Sequence, residues 1–398
     1  MAQYDVLVVG TRCAGAPLCM LLARQGIKVL GVDRAHFPSD TVSTHFLWPR
    51  TTSLLAKWGL LDQLAATGCP PIHRVTVDYG PLAISGRPSA VDGTAIMFSP
   101  RRFVLDPLLV AAAQTAGAEM REGVTFRGLV YDGDRVVGAK LEDKNGSTSK
   151  CDATVVVGAD GIWSPVARAA NAATDIEHPS LTCGHYAYWS GVATDGVEFY
   201  LRGGRDILVF PTHEGLTCIW AGRSRKDWDI YRANVEDTYR GVIATAPCLA
   251  DRLAGAERVT PFRGTSKLPN FYRRSFGAGW ALVGDAAYHR DPLAGMGIGD
   301  AFLSAQLMAD ALAEGMGGGP EVLYAALSAC QAAFRDRTMP IFEYTVKAAG
   351  LKEPALPIYA SISKSADETV RFMDVLAGNI PAKDVFNPKN IARLLETQ

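Results

Sequence analysis

Residues 5–17, DVLVVGTRCAGAP, run an apolar stretch into a glycine turn and out into a helix, and no other feature restricts the fold of this chain as tightly. YDVLVV at 4–9 has the composition of a strand buried on both faces. Gly10 to Gly15 form the turn, and 16–25 keeps helical spacing up to Gly26, a C-cap. A second apolar run at 27–32 ends at Asp33. Together they make a βαβ unit of roughly thirty residues, the size that sets a helix N-terminus over a cofactor phosphate. Gly10 permits the tight turn and Gly15 the close packing of helix on strand. Between them, where a glycine normally lets the backbone approach a pyrophosphate, stands Arg12. Its guanidinium is expected to bond a phosphate or a neighbouring carboxylate and so help to fix the nucleotide; the alternative is a side chain in solvent over a shifted loop. Asp33 can accept ribose hydroxyls and would repel a 2′-phosphate. On this unit alone NAD and FAD are equal candidates.

At 398 residues the chain suits two intergrown or sequential domains. Charged residues make up 20% and the net charge is -1, so there is no electrostatic footprint for nucleic acid or an anionic membrane. The eight cysteines, at 13, 19, 69, 151, 183, 218, 248 and 330, include no CxxC pair and read as reduced, mostly buried thiols. No apolar run reaches membrane-spanning length and the start has no basic, cleavable leader, from which a cytoplasmic protein without stable membrane anchoring is expected.

Helical spacing is expected over 51–65 and 103–116, and short strands over 124–157 with Asn145-Gly146 as a hairpin turn. Alternating strands over 183–225, broken at Gly203-Gly204 and at His213-Glu214-Gly215, read as an antiparallel sheet inserted between α/β segments. The first pattern returns at 279–285, followed by a glycine-rich turn and a helix over about 299–314. A further helix covers about 320–349, with Pro340 expected to bend or break it, and the last 48 residues read as short helices.

Two more motifs decide between the nucleotides. VVVGADGIWSPVAR at 155–168 and GWALVGDAAYHRDPLAGMGIGDA at 279–301 follow the first in order and with sensible spacing. With these three the chain resembles the FAD-dependent aromatic hydroxylases typified by p-hydroxybenzoate hydroxylase, with their halogenase and geranylgeranyl-reductase relatives. It is similar also to bacterial proteins carrying GxRCAG and FPSDTxSTH, described as FAD- or NAD(P)/FAD-dependent oxidoreductases. The resemblance implies that Asp160-Gly161 lies near the FAD pyrophosphate and takes part in nicotinamide nucleotide binding. It implies that Asp285, after Gly284, holds the ribitol, and that Pro292, Gly295, Met296 and Gly297 form the turn against the flavin ring. Arg102, or its neighbour Arg101, matches the arginine that faces the cofactor, and Ala14 and Arg34 join the expected cofactor contacts. Three positions depart from the family pattern: Tyr288 replaces the usual histidine, Gly299 the frequent asparagine, and Arg168 lies one residue late.

His45 and Arg50 match the place where relatives set residues beside flavin and substrate, although local loop-to-helix hydrogen bonding would account for them equally. With His289 they are the candidate catalytic residues, and Lys57 reads as a solvated helix residue. Tyr186 and Tyr188 fall on one face of a strand and Trp189 on the other; with Phe199, Phe210 and Trp220 the first two are candidates for an apolar substrate pocket, ordinary sheet packing being the alternative.

The expected fold is α/β: a glutathione-reductase-type, Rossmann-like FAD-binding domain with a β-meander, an antiparallel substrate-binding sheet and a helical C-terminal tail. The expected division is 1–75, 100–178 and 275–350 for FAD, 76–99 and 179–274 for the substrate sheet, and 351–398 for the tail. The resemblance implies a monooxygenase that uses NADH or NADPH as transient donor and O2, through a flavin C4a-(hydro)peroxide, on an apolar, aromatic small molecule. The alternatives are a C=C reductase of the geranylgeranyl-reductase type, although THFLWPR stands where those enzymes carry their own active-site motif, and a non-redox binding protein like the Rab GDP-dissociation inhibitors. No metal and no nucleic acid is expected. A homodimer or a separate flavin reductase is left open.

Overall fold

In the computed structural model, which describes residues 3–396, the first apolar run is the strand Tyr4–Val9. It is buried on both faces because parallel neighbours flank it, Val29–Asp33 on one side and Thr148–Gly158 on the other, with Val8 level with Gly31 and with Val157. Glu119–Glu122 extends the sheet beyond Val29–Asp33, and Trp280–Leu282 beyond Thr148–Gly158, both parallel. Such a sheet must be covered on both faces. Helices Gly15–Arg24, Arg102–Thr115 and Gly297–Gly315 pack on the side chains of Val6, Val8, Val155 and Val157. A meander of Thr125–Asp132, Arg135–Glu142 and the outer half of Thr148–Gly158 covers Leu7, Val9 and Val156.

The second sheet orders its strands Thr182–Ser190, Thr217–Ser224, Arg205–Pro211 and Val197–Arg202, antiparallel throughout, and its turns fall where the glycine signals place them. A hairpin from earlier in the chain, Val75–Asp78 with Ala83–Gly86, completes it, and here one pairing is parallel, Val75–Asp78 on Val197–Arg202. Strand alternation separates two sets of side chains. Tyr186, Tyr188, Phe199, Phe210 and Trp220 share one apolar cluster; Trp189, Tyr200, Val209 and Ile219 belong to another. The second cluster is capped by three helices absent from the sequence reading, Trp228–Ala233, Val235–Ile243 and Pro247–Ala254.

Two expectations are corrected. The stretch 51–65 is two helices, Pro49–Lys57 and Leu61–Ala65, because the chain turns at Gly59 with φ 75°. Pro340 does not break the helix Pro320–Ala348. The carbonyl it deprives of a partner is that of Asp336, an exposed residue. Of the tail helices Leu356–Ser363, Ala366–Leu376, Ala382–Val385 and Pro388–Glu396, the first, second and fourth insert Ile362, Phe372, Met373 and Leu394 into the cluster that holds Tyr186 and Tyr188. No helix of the described residues is long and apolar enough to cross a membrane.

Candidate functional site

The three glycine-containing turns meet at the ends of adjacent parallel strands. A Cβ on Gly10, at φ 92°, would lie 2.4 Å from the Ala159 carbonyl oxygen, and one on Gly15 would lie 1.8 Å from the Gly10 carbonyl oxygen. First and second turns therefore touch backbone to backbone, and no side chain fits between them. The third turn also reaches the first, since a Cβ on Gly284 would stand 2.8 Å from that of Ala14. Asp33 closes the first turn: its Oδ2 accepts the Thr11 N–H at 2.8 Å and its Oδ1 the Ala35 N–H at 2.9 Å. Arg34 beside it is exposed.

Arg12 does not point to solvent. Its Nη1 donates to Asp106 Oδ2 at 2.6 Å and to the Ser39 carbonyl at 3.4 Å, its Nη2 donates to Ser39 Oγ at 2.8 Å, and its guanidinium lies 5.2 Å from the Phe37 ring centre. Asp106 is fully buried and holds a second arginine, Arg102, at 2.8 and 3.1 Å, while the Cys13 thiol donates to it at 3.4 Å. Asp106 is a site residue that sequence reading missed. The signal was present, because Arg102 and Asp106 stand four apart on one helix, the spacing of an intrahelical ion pair. Arg101 turns the other way, its guanidinium 4.9 Å from the Tyr188 ring centre. Of the two candidate arginines, Arg102 is thus the one directed toward the turns, close enough to Asp285 for their charges to interact.

In the second turn Asp160 Oδ2 caps the short helix Pro165–Ala169 by accepting the Val166 N–H at 3.0 Å, while Oδ1 is buried without a hydrogen-bond partner. Burial pushes this carboxyl's pKa up. Asp285 takes no hydrogen bond from any described residue; burial raises its pKa, and the charges of His289 and Arg102 oppose the rise. After Pro292–Ala294 comes Gly295 in the left-handed conformation, then Met296, and Gly297 opens the helix Gly297–Gly315. Gly299 has a steric reason: a Cβ there would lie 2.4 Å from Thr51 Oγ1. Tyr288 packs in the interior against Tyr272, its ring tilted and the ring centres 4.5 Å apart.

Of the catalytic candidates only His45 meets the aromatic face. Its Nε2 is 2.7 Å from Tyr188 Oη, its ring packs edge-on to Phe210 at 5.3 Å, and its backbone is strained at φ 31°. Burial above all, then the charges of Arg102 and Arg101, push its pKa down to about 3, so the ring is neutral. The next residues reach the third turn, where Trp48 Nε1 donates to the Ala294 carbonyl at 2.9 Å. Arg50 is committed elsewhere, donating to the Gly378 carbonyl of the tail. His289 Nδ1 is bonded to the Pro269 carbonyl. The aromatic face carries one buried acid: Asp206 Oδ2 accepts the Trp220 Nε1–H at 2.8 Å, and burial, then the charge of Asp291, push its pKa up to about 7. A cleft of about 300 Å³ opens beside the second turn, lined by Trp163, Arg225, Lys267, Phe271 and Arg273 among others.

Comparison with known proteins follows the same line. A family model described as an FAD binding domain matches residues 3–336. The digeranylgeranylglycerophospholipid reductase of Methanosarcina mazei is 25% identical over 328 residues, 80% of this chain and 77% of that one. The 6-methylpretetramide 4-monooxygenase of Streptomyces rimosus is 27% identical over 334 residues, 79% of this chain and 76% of that one. Among solved structures, the flavin-dependent brominase Bmp2 aligns with a TM-score of 0.83 at 18% identity, covering 99% of this chain and 98% of its own. A geranylgeranyl bacteriochlorophyll reductase-like protein of Thermoplasma acidophilum aligns with a TM-score of 0.74 at 20% identity, covering 98% and 95%. A family model that matches most of the chain makes this protein a member of the FAD binding domain family and an FAD-dependent oxidoreductase.

Proposed function

We propose that the chain is a monooxygenase that hydroxylates an apolar, aromatic small molecule bearing a hydroxyl group. The observation that carries this reading is the His45–Tyr188 pair set into the aromatic face. In the tautomer that carries its proton on Nδ1, the neutral His45 accepts the Tyr188 O–H at Nε2, which leaves the Tyr188 Oη lone pairs to receive a hydroxyl from a substrate. With a pKa near 3 the imidazole stores no proton at neutral pH, so the pair orients a phenol for attack on its ring and does not act as a strong base.

The residues fit FAD. Gly10 and Gly15 let the first two turns close on one another beside the helix Gly15–Arg24, Asp160 Oδ1 lacks a partner, and Asp285 takes no hydrogen bond from the described residues, which leaves its carboxylate for sugar hydroxyls. When bound, FAD supplies the two-electron redox chemistry and the reaction with O2. The N-terminus of Gly297–Gly315 would favour negative charge on the ring, and Phe46, Trp48, Phe199 and Trp220 would exclude water from it. For the electron donor, NADH or NADPH, the cleft beside Asp160-Gly161 offers an exposed indole, Trp163, with Arg225 and Lys267 for phosphates.

Similarity to the digeranylgeranylglycerophospholipid reductases favours a second reading, reduction of an isolated C=C bond on the same apolar face. One experiment separates the two. The FAD-loaded protein is mixed with NADH or NADPH, isotopically labelled O2, and either 2-naphthol or geranylgeraniol, and the products are weighed by mass spectrometry. Hydroxylation is expected as one labelled oxygen in the naphthol product. Two added hydrogens on the alcohol, with no label in the naphthol, would replace it by the reductase reading.

A further inference from the structure

We infer that Arg12 is the clasp of a strap lying over the cofactor, and that it sets how fast FAD enters and leaves while contributing little to how tightly FAD is held. The strap is 34–45, irregular throughout. It begins next to Asp33, at the end of the site where the ribose would lie, and ends at His45, whose neighbour Phe46 packs on the Gly295 turn at the ring end. It therefore spans the length of the nucleotide's path. Arg12 rises from beneath it and holds Ser39 by both hydroxyl and carbonyl, with the Phe37 ring on its guanidinium. Its own position is fixed from below by Asp106, which Arg102 and Cys13 hold in turn. Further fastenings include the Gly123 N–H on the Ala35 carbonyl at 3.2 Å, Glu122 against both the Phe37 N–H and His36, an ion pair from Asp40 to Arg263 at 3.1 Å, partly exposed, and His45–Tyr188 at the far end. Between them the strap exposes Val42 at 51%.

Every partner in this clasp belongs to the chain. A contact made alike with and without nucleotide cancels from the binding equilibrium and remains in the barrier to opening. A phosphate ligand behaves in the opposite way, since its loss lowers affinity through faster release. The guanidinium fork is already occupied by Asp106 and Ser39, which assigns Arg12 to the first case. It is a positioning residue, and the inference holds whether the enzyme hydroxylates or reduces.

The test is the exchange kinetics of FAD. Apoprotein of the wild type, Arg12→Gln and Ser39→Ala is mixed with FAD in a stopped-flow fluorimeter. Release is followed from each holoprotein with an excess of a scavenging apoflavoprotein. Arg12→Gln is expected to raise association and dissociation together, each by about tenfold, the value of one charge-assisted hydrogen bond, with Kd unchanged within about twofold. Ser39→Ala, which loses one of the bonds, should raise both rates by less. Amide hydrogen exchange over 37–44 should quicken in both variants while that of the central strands stays as it is. Faster release alone, with Kd weakened in proportion, would make Arg12 a phosphate ligand and overturn the inference, as would two unchanged rates. If Arg12→Gln does not fold, Ser39→Ala decides by the same two rates.

Discussion

Asp285 and Gly10 show most plainly what single residues contribute. Asp285 keeps a half-buried carboxylate that takes no hydrogen bond from the described residues, so its oxygens are left for a ligand. Asp285→Ala should weaken FAD binding by about tenfold to a hundredfold, the loss of one or two charge-assisted hydrogen bonds, read by fluorescence titration of the apoprotein. A methyl at Gly10 meets backbone at 2.4 Å, where nothing flexible can yield; at Gly26 it meets nothing within 4 Å. Gly10→Ala should therefore give protein that neither loads FAD nor melts cooperatively. Gly26→Ala, also at positive φ, should cost only about 1 kcal/mol in a thermal melt. Much at this scale was legible, because Gly10, Gly15, Asp33 and Asp285 announce themselves by position in a strand-turn-helix pattern. Asp106 announced only its pairing with Arg102 four residues before it; its bond to Arg12 joins residues 94 apart, and Arg12 replaces the residue expected in that turn.

At the level of elements, the aromatic sheet and the loop at 45–48 are held together by few polar bonds, so each bond matters. Tyr188→Phe would remove the hydroxyl that satisfies the buried His45 Nε2 and should destabilise the protein by about 1–3 kcal/mol in urea unfolding, with FAD still bound. Strand alternation was sufficient to sort Tyr186 and Tyr188 from Trp189, because a period of two is unambiguous once a strand is recognised. The three helices over 228–254 were not legible. They have six, nine and eight residues, too few turns for a period of 3.6 to stand out from loop composition. The break at Gly59 was missed for a related reason, as the apolar spacing continues across it and only the backbone changes direction.

For the molecule as a whole, buried ionisable groups set opposite limits on stability. His45, with a pKa lowered to about 3, and His185, lowered to about 4, are neutral in the fold. The unfolded chain gains their protons first, and stability falls as pH drops below about 6.5. Asp206 works in the other direction: its pKa rises from 3.8 to about 7, so its contribution is full below about pH 4 and is lost as pH rises through 7. Asp206→Asn keeps an acceptor for the Trp220 indole and should lose less melting temperature than the wild type between pH 4 and 8, a comparison made by calorimetry at matched FAD loading. No sequence pattern announces such a group, because its pKa depends first on its burial in the fold and then on the charge of Asp291, from another part of the chain. The central sheet has a consequence for synthesis as well. Thr148–Gly158 waits for its outer parallel neighbour, Trp280–Leu282, until the whole aromatic sheet has been made. A nascent chain long enough to have begun folding therefore carries an open, valine-rich edge on the ribosome, and its safe passage depends on whatever shields that edge until residue 282 emerges.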